Sequence, residues 1–350
     1  MKKKILFALL ISNFGFCGSY AQESVSTYQV YDMVKDDHRL YIASKSGVIE
    51  YDADAKSYSI ATLPDSLVEM NVESVIGRNG EVYAGLSNGH VFKLNGFNYE
   101  YIGTVPDKTI NKLRFDNEGN VYACARSLYK KTDIGWTRYD LPNSSTASSL
   151  GIYDACSDNN GNLWLGCHFA MGGVYKFNGE QITMIDENTG IINSVAVGDA
   201  GQVWLGSMTK GLYLLENGNL KSNFNTSNSS LKEMKISAIC VDADGSLWCG
   251  RQYLHKYADG VFTAYQMPKD VVINSLEAIN GIIYIGTSNG VYVFDGIEVS
   301  LLNLGTNGIN NISKIDLNTC TTYTLKGIKV NDNMLRKGNV YIKNGRKIVK

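Results

Sequence analysis

The side chains best suited to chemistry in this chain sit in three short segments. They are Ala125-Arg126-Ser127, Cys167-His168-Phe169-Ala170-Met171 and Arg251-Gln252-Tyr253-Leu254-His255. Guanidinium and imidazole groups next to aromatic faces suit the binding of a glycan or a peptide, with charge for polar groups and rings for apolar faces. Arg126, His168, Phe169, Arg251, Tyr253 and His255 are therefore the candidate ligand-binding residues. Catalysis would need a general base near a metal or an anion-neutralising group. His90, His168 and His255 could converge to provide it, yet the sequence identifies no carboxylate partner. No Cys-x-x-Cys pair occurs, which argues against zinc. Asp242-Ala-Asp-Gly245 lacks the later bidentate acid of a calcium loop and reads as a hairpin turn. No metal, no cofactor and no catalytic residue is assigned.

These segments follow a phrase that returns seven times, from Leu40-Tyr41-Ile42-Ala43 through Leu163-Trp164-Leu165-Gly166 to Ile283-Tyr284-Ile285-Gly286. Its aromatics stand at 41, 83, 122, 164, 204, 248 and 284, a period near 40. That period, with four strands' worth of residues, predicts an all-β, seven-bladed β-propeller. The 35 Gly, 22 Tyr and 4 Pro fit many short strands joined by tight turns and exclude a coiled coil, a collagen or a disordered chain. The phrase is apolar throughout, as expected for a strand covered on both faces. The small residue two positions after the aromatic suggests close approach of another backbone. The three Trp of blades 4 to 6 read as blade-to-blade packing. Asn111, Asn193 and Asn274, each after an Ile, are expected to ring the channel or to satisfy blade-edge backbone groups.

Glu118-Gly119, Asn160-Gly161, Ala200-Gly201 and Asp244-Gly245 read as two-residue hairpin turns. That turn would set Cys240 opposite Cys249 and make a disulfide geometrically possible. The favoured reading is free thiols filling an apolar slot, since Leu165, Leu205 and Ile285 occupy the Cys249 column.

By strand order, the loops between second and third strands share one face of the ring with the blade-to-blade connections. Blades 1, 2 and 7 have a short turn there, whereas blades 3, 4 and 6 abandon it. The two longest connections, Asn143 to Gly151 and Asn223 to Met234, open on the same side. Irregular loops over a rigid scaffold are where function concentrates, which places the site around blades 3 to 6.

Lys2, Lys3 and Lys4 precede the apolar run Ile5 to Ile11, and Ser19-Tyr20-Ala21 offers small residues for cleavage before Gln22. Residues 1–21 read as a signal peptide, 22–303 as the propeller and 304–350 as a short C-terminal β module. Cys17 raises lipidation, but Phe16 stands where a lipobox needs a small residue. No later segment approaches the ~18 apolar residues of a membrane helix. Residues 22–311 hold 32 acidic and 21 basic side chains, whereas 312–350 hold 2 and 9. An acidic body argues against a nucleic-acid partner.

Asp158-Asn-Asn-Gly-Asn-Leu-Trp-Leu-Gly166 and Asp242-Ala-Asp-Gly-Ser-Leu-Trp-Cys-Gly250 resemble the two-component-regulator propeller repeat of Bacteroidota sensor proteins. Such sensors continue into a membrane helix and a kinase, which this sequence lacks, so a one-chain receptor is not expected. Tyr323-Thr-Leu-Lys-Gly-Ile-Lys-Val330 and Leu335 to Lys350 resemble the C-terminal sorting module of Bacteroidota secreted proteins. That resemblance implies type IX secretion to the cell surface and contact with the secretion machinery. The alternative is a strand pair that helps to close the ring. Gly161-Asn-Leu-Trp164 is similar to phrases in streptogramin lyases, and Asp65-Ser66-Leu67 resembles a Bacteroidota O-glycosylation site. The resulting expectation is a secreted or surface-located, non-catalytic module that binds a glycan or peptide through blades 3 to 6. A protein-docking scaffold, or a lyase acting on a polysaccharide or streptogramin-like substrate, is the alternative.

Overall fold

The computed structural model describes residues 28–142, 151–168, 172–198, 201–302 and 304, and in the tail the strands at 322–324, 329–330, 340–343 and 346–349. The proposed leader therefore lies outside the described residues. The chain divides into two compact units, 1–306 and 307–350.

The first unit is a seven-bladed, all-β propeller. Its blades begin with Val30–Asp36, Val72–Arg78, Lys112–Phe115, Ile152–Ser157, Ile192–Val197, Ala238–Val241 and Ile273–Ile279. Each blade is a four-stranded antiparallel sheet in simple sequence order. The first strands touch one after another, and that of blade 7 touches that of blade 1. All four strands of each blade come from one stretch of chain, so closure uses no exchanged strand. Blade 7 instead packs Ile279, Tyr284 and Val291 against Met33, Ile42 and Tyr51 of blade 1. Across this seam Gly290 N donates to Tyr28 O, Asn274 Nδ2 to Val30 O and Lys35 Nζ to Ala278 O, all at 2.8 Å.

The second strands of blades 3 to 6, such as Leu163–Cys167 and Val203–Ser207, are buried at every position. Trp164, Trp204 and Trp248 each pack against the next blade, Trp248 for instance on Leu276, Ile283 and Phe294. The small residue after the aromatic has a different cause from the expected one. A Cβ on Gly166 would lie 2.5 Å from Ile192 Cγ2, so the neighbour is chiefly the first side chain of the following blade, not its backbone. Gly206 faces Ile236 and Gly85 faces Ile110 in the same way.

Two kinds of first hairpin occur. In blades 2 and 7, Asn79-Gly80 and Asn280-Gly281 form two-residue turns with both residues at positive φ. That backbone matches the twist of the flanking strands. Blades 3, 4 and 6 use longer loops: Asp158 N donates to Asn162 O, Gly161 N donates to Asp158 O, and Gly161 has φ 80°. This corrects the two-residue reading, because Asp begins a turn whose Gly occupies the left-handed position. The Asp158 carboxylate accepts from Asn160 N, Asn162 N and Trp164 Nε1, each at 2.9 or 3.0 Å. Four N–H donors, counting Asn162 Nδ2, occupy it.

The longer loop shifts the register of blade 6 by one. Cys240 opposes Trp248, and Ile239 opposes Cys249. Successive side chains alternate faces, so Cys240 enters the blade 6–7 core and Cys249 the blade 5–6 core. The 240–249 disulfide is therefore excluded by geometry, and both thiols are free.

In the second unit, Lys329–Val330, Thr322–Thr324, Val340–Lys343 and Arg346–Val349 pair in that spatial order, all antiparallel. Its described strands pair with one another.

Candidate functional site

The first strands line a central channel of about 500 Å³. Their channel-side backbone has no sheet partner and is served by side chains at two consecutive columns. In blades 3, 6 and 7 the second residue supplies a donor to the following blade: Asn111 Nδ2 reaches Ile152 O at 2.8 Å, Ser237 Oγ reaches Ile273 O at 2.6 Å and Asn274 Nδ2 reaches Val30 O at 2.8 Å. In blades 2, 4 and 5 the third residue supplies an acceptor: Ser74 Oγ takes Leu113 N, Asp154 Oδ2 takes Val195 N and Ser194 Oγ takes Ile239 N. Asn111 and Asn274 thus do both jobs expected of them, lining the channel and satisfying backbone carbonyls.

On the blade 1 to 4 side, that third column also carries charge. Asp32, 2% exposed, accepts from Lys112 Nζ and Ser74 Oγ, both at 2.6 Å. Arg114 lies 3.6 Å from Asp32 and pairs with Asp154 at 2.5 Å. Burial alone would pull the Arg114 pKa down, but Asp154 and Asp32 outweigh it and hold it above the ordinary value. The opposite wall is built of Ser194, Ala238 and Ser275, whose small side chains leave the channel open there. The Ser275 hydroxyl is buried with no partner among the described residues.

At the loop-bearing mouth, Arg251, Tyr153, Asn193 and Glu73 line the cavity. His168 stacks on Tyr153 with ring centroids 4.4 Å apart and planes 14° off parallel, and its Nε2 meets Asn193 Oδ1. Burial pushes the His168 pKa down, only partly offset by that contact, so the ring is neutral at pH 7. Burial also raises the Tyr153 and Glu73 pKa values. Neither the Arg251 guanidinium nor the Glu73 carboxylate has an ion-pair partner among the described residues. Arg251 is fixed through its backbone: its N–H and those of Gln252 and Tyr253 donate to the Glu233 carboxylate at 2.8 to 3.0 Å, and its carbonyl accepts from Ile273 N.

The predicted residues therefore separate. Arg251 lines the channel mouth, as does Tyr153, and His168 stacks on Tyr153 without lining the channel itself. Tyr253 stands in the same loop as Arg251, beside His255 at 6.0 Å, but does not line the channel. Arg126 is exposed in its own loop on blade 3. Phe169 and most of the connection before blade 4 lie outside the described residues. His255 is a correction: it is fully buried inside the strand Tyr253–Ala258, where its Nε2 accepts from Lys232 N at 3.0 Å. Burial lowers its pKa to about 4, so it is a neutral core group out of a ligand's reach. The three histidines do not converge, since His90 packs on Tyr101 and Phe92 within blade 2. Among the described residues, no group of three or more His, Cys, Asp or Glu could hold a metal ion, and no helix is long and apolar enough to cross a membrane.

Sequence reasoning missed Tyr153, Glu73 and the Asp32–Lys112–Arg114–Asp154 network. The available signal was the polar pair that follows the opening Val or Ile of each blade: Tyr31-Asp32, Glu73-Ser74, Asn111-Lys112 and Tyr153-Asp154.

No protein-family model and no curated protein matches the chain. Solved structures of similar fold include the extracellular domain of a putative one-component system from B. thetaiotaomicron (17% identity, TM-score 0.53, 76% of this chain and 45% of that one). PorZ, an essential surface component of the type-IX secretion system of Porphyromonas gingivalis, aligns at 17% identity and TM-score 0.57 over 81% of this chain and 48% of its own. Virginiamycin B lyase from Staphylococcus aureus, a catalytically inactive form with quinupristin, aligns at 14% identity and TM-score 0.57 over 77% and 94%. The chain thus spans less than half of the first two proteins. At these identities the likeness shows the propeller fold.

Proposed function

We propose that the chain is an exported, non-catalytic binding module that takes a glycan or peptide at the mouth of its central channel. The observation that carries this reading is that Arg251 and Tyr153, the latter stacked on His168, line one cavity together with a channel wall of small side chains. Concave cavities of this size, with a few convergent polar groups, are the usual form of a small-ligand site. The site is then narrower than the loops of blades 3 to 6 as a whole: Arg251 belongs to it, His168 supports it through Tyr153, and Arg126 and Tyr253 do not line it. Export rests on the leader-like residues 1–21, and delivery to the surface on the sorting-like tail.

A thermal-shift screen of the full chain against soluble glycans and short peptides, with Mg²⁺, with Ca²⁺ and with chelator, tests the reading. Ligand at about 100 Kd should stabilise by roughly 2.7 kcal/mol through mass action. The shift should survive chelation, vanish in Arg251→Ala and leave the ligand chemically unchanged. Turnover of the ligand would favour the lyase alternative, and loss of export without residues 1–21 checks the address.

A further inference from the structure

We propose that the channel mouth holds the two ends of a short zwitterionic peptide, its carboxylate on Arg251 and its ammonium on Glu73. This rests on the binding-module reading and narrows its ligand class. Both side chains line the same cavity, which Tyr153 lines as well, and both act electrostatically on Tyr153. Neither makes an ion pair among the described residues, although Glu233 acts on Arg251 at longer range while its carboxylate is taken up by three backbone N–H groups. Lys112, the cation nearest in effect to Glu73, is held by Asp32 at 2.6 Å and by Tyr31 O at 3.3 Å. Arg251 and Glu73 make no ion pair with each other, and Glu73 has only Asn71 Nδ2 at 3.3 Å.

A half-buried charge without a partner carries a desolvation cost that a complementary ligand charge removes. A neutral glycan would satisfy neither group, and a simple anion would meet the Glu73 carboxylate. A ligand with opposite charges at its two ends satisfies both. The ring of Tyr153, backed on one side by His168, lines the same cavity and can take up the apolar part.

The test is calorimetric titration of the full chain with trialanine, trialanine amide and N-acetyl-trialanine, alongside the neutral sugar chitotetraose. Trialanine should bind, and capping either end should weaken it by about tenfold or more. Arg251→Gln should abolish the preference for the free acid over the amide while keeping that for the free amine, and Glu73→Gln should do the converse. Equal affinity for free and capped peptides overturns the proposal, as does failure of trialanine to bind. The wild-type series decides even if a variant fails to fold. Arg251-dependent binding of chitotetraose without trialanine overturns the peptide assignment and leaves the binding module standing. Binding of neither removes both.

Discussion

The Glu233 carboxylate holds Arg251 by its main chain, with Oε1 2.8 Å from the Arg251 amide nitrogen. The next two N–H groups, of Gln252 and Tyr253, converge on the same carboxylate. A run of successive amides around one anion is a ready-made nest, here filled by a side chain from the connection that precedes blade 6. Glu233 thereby fixes the loop that carries Arg251 without lining the channel itself.

Removing that anchor should loosen the site before it unfolds the ring. Glu233→Ala is expected to cost about 2–4 kcal/mol, since several charge-assisted hydrogen bonds are lost together. Glu233→Gln, which keeps one acceptor oxygen, should cost less and retain more ligand affinity. Chemical denaturation and ligand titration of both variants check this. Equal stability of Glu233→Ala and wild type would remove Glu233 from a positioning role.

The charge network on the other wall predicts a different pattern. Arg114→Met would leave Asp154, only 3% exposed, with backbone donors but no cation. Breaking a buried pair from one side costs roughly 3–5 kcal/mol, whereas removing both charges is far milder. The double variant Arg114→Met/Asp154→Asn should therefore be more stable than Arg114→Met alone. Denaturation midpoints of wild type, Arg114→Met, Asp154→Asn and the double variant measure the coupling, and a double variant less stable than Arg114→Met would contradict it.

The propeller was legible because a buried second strand must be apolar on both faces, so its phrase repeats with little freedom. The first strands have no such constraint. Their channel side needs only some donor or acceptor at each column, and Asn111, Ser237, Asp154 and Ser194 satisfy it with different chemistry. The charged network and the Glu73–Tyr153 mouth were hidden for that reason. His255 was misplaced because an imidazole just after a loop reads as polar surface, although the strand it enters turns it inward. The blade 6 register was misread because Asp-x-x-Gly and Asn-Gly both end in glycine while their loops differ in length.

That register carries a prediction for the thiols. Cys240 and Cys249 lie on opposite faces of their sheet, and burial pushes both pKa values up. Burial also raises Cys124 to about 12 and Cys156 to about 11. Thiolate is the reactive form, so these positions should resist iodoacetamide at pH 8 until denaturant is added. Peptide mass mapping checks each site, and the melting temperature should not change with reductant. A 240–249 disulfide-linked peptide would overturn the register.

Glu277 makes the channel floor sensitive to pH. Its side chain lines the channel, where the Lys35 backbone offers it a hydrogen bond. Burial pushes its pKa up to about 7 from 4.5, against the pull of Lys35 and Arg114 and with the help of Asp32. An unfolded chain gives up this proton first, so the folded state binds more protons between the two values. Stability from this group is therefore fully present below about pH 4.5 and declines as pH rises through 7, by roughly 3 kcal/mol in all. Glu277→Gln keeps the shape and removes the charge. It should match wild type near pH 4.5, exceed it at pH 8 and flatten that part of the stability profile. Urea unfolding at the two pH values decides the matter: if the variant is less stable than wild type at pH 8, the ionised carboxylate contributes a favourable contact that outweighs its burial.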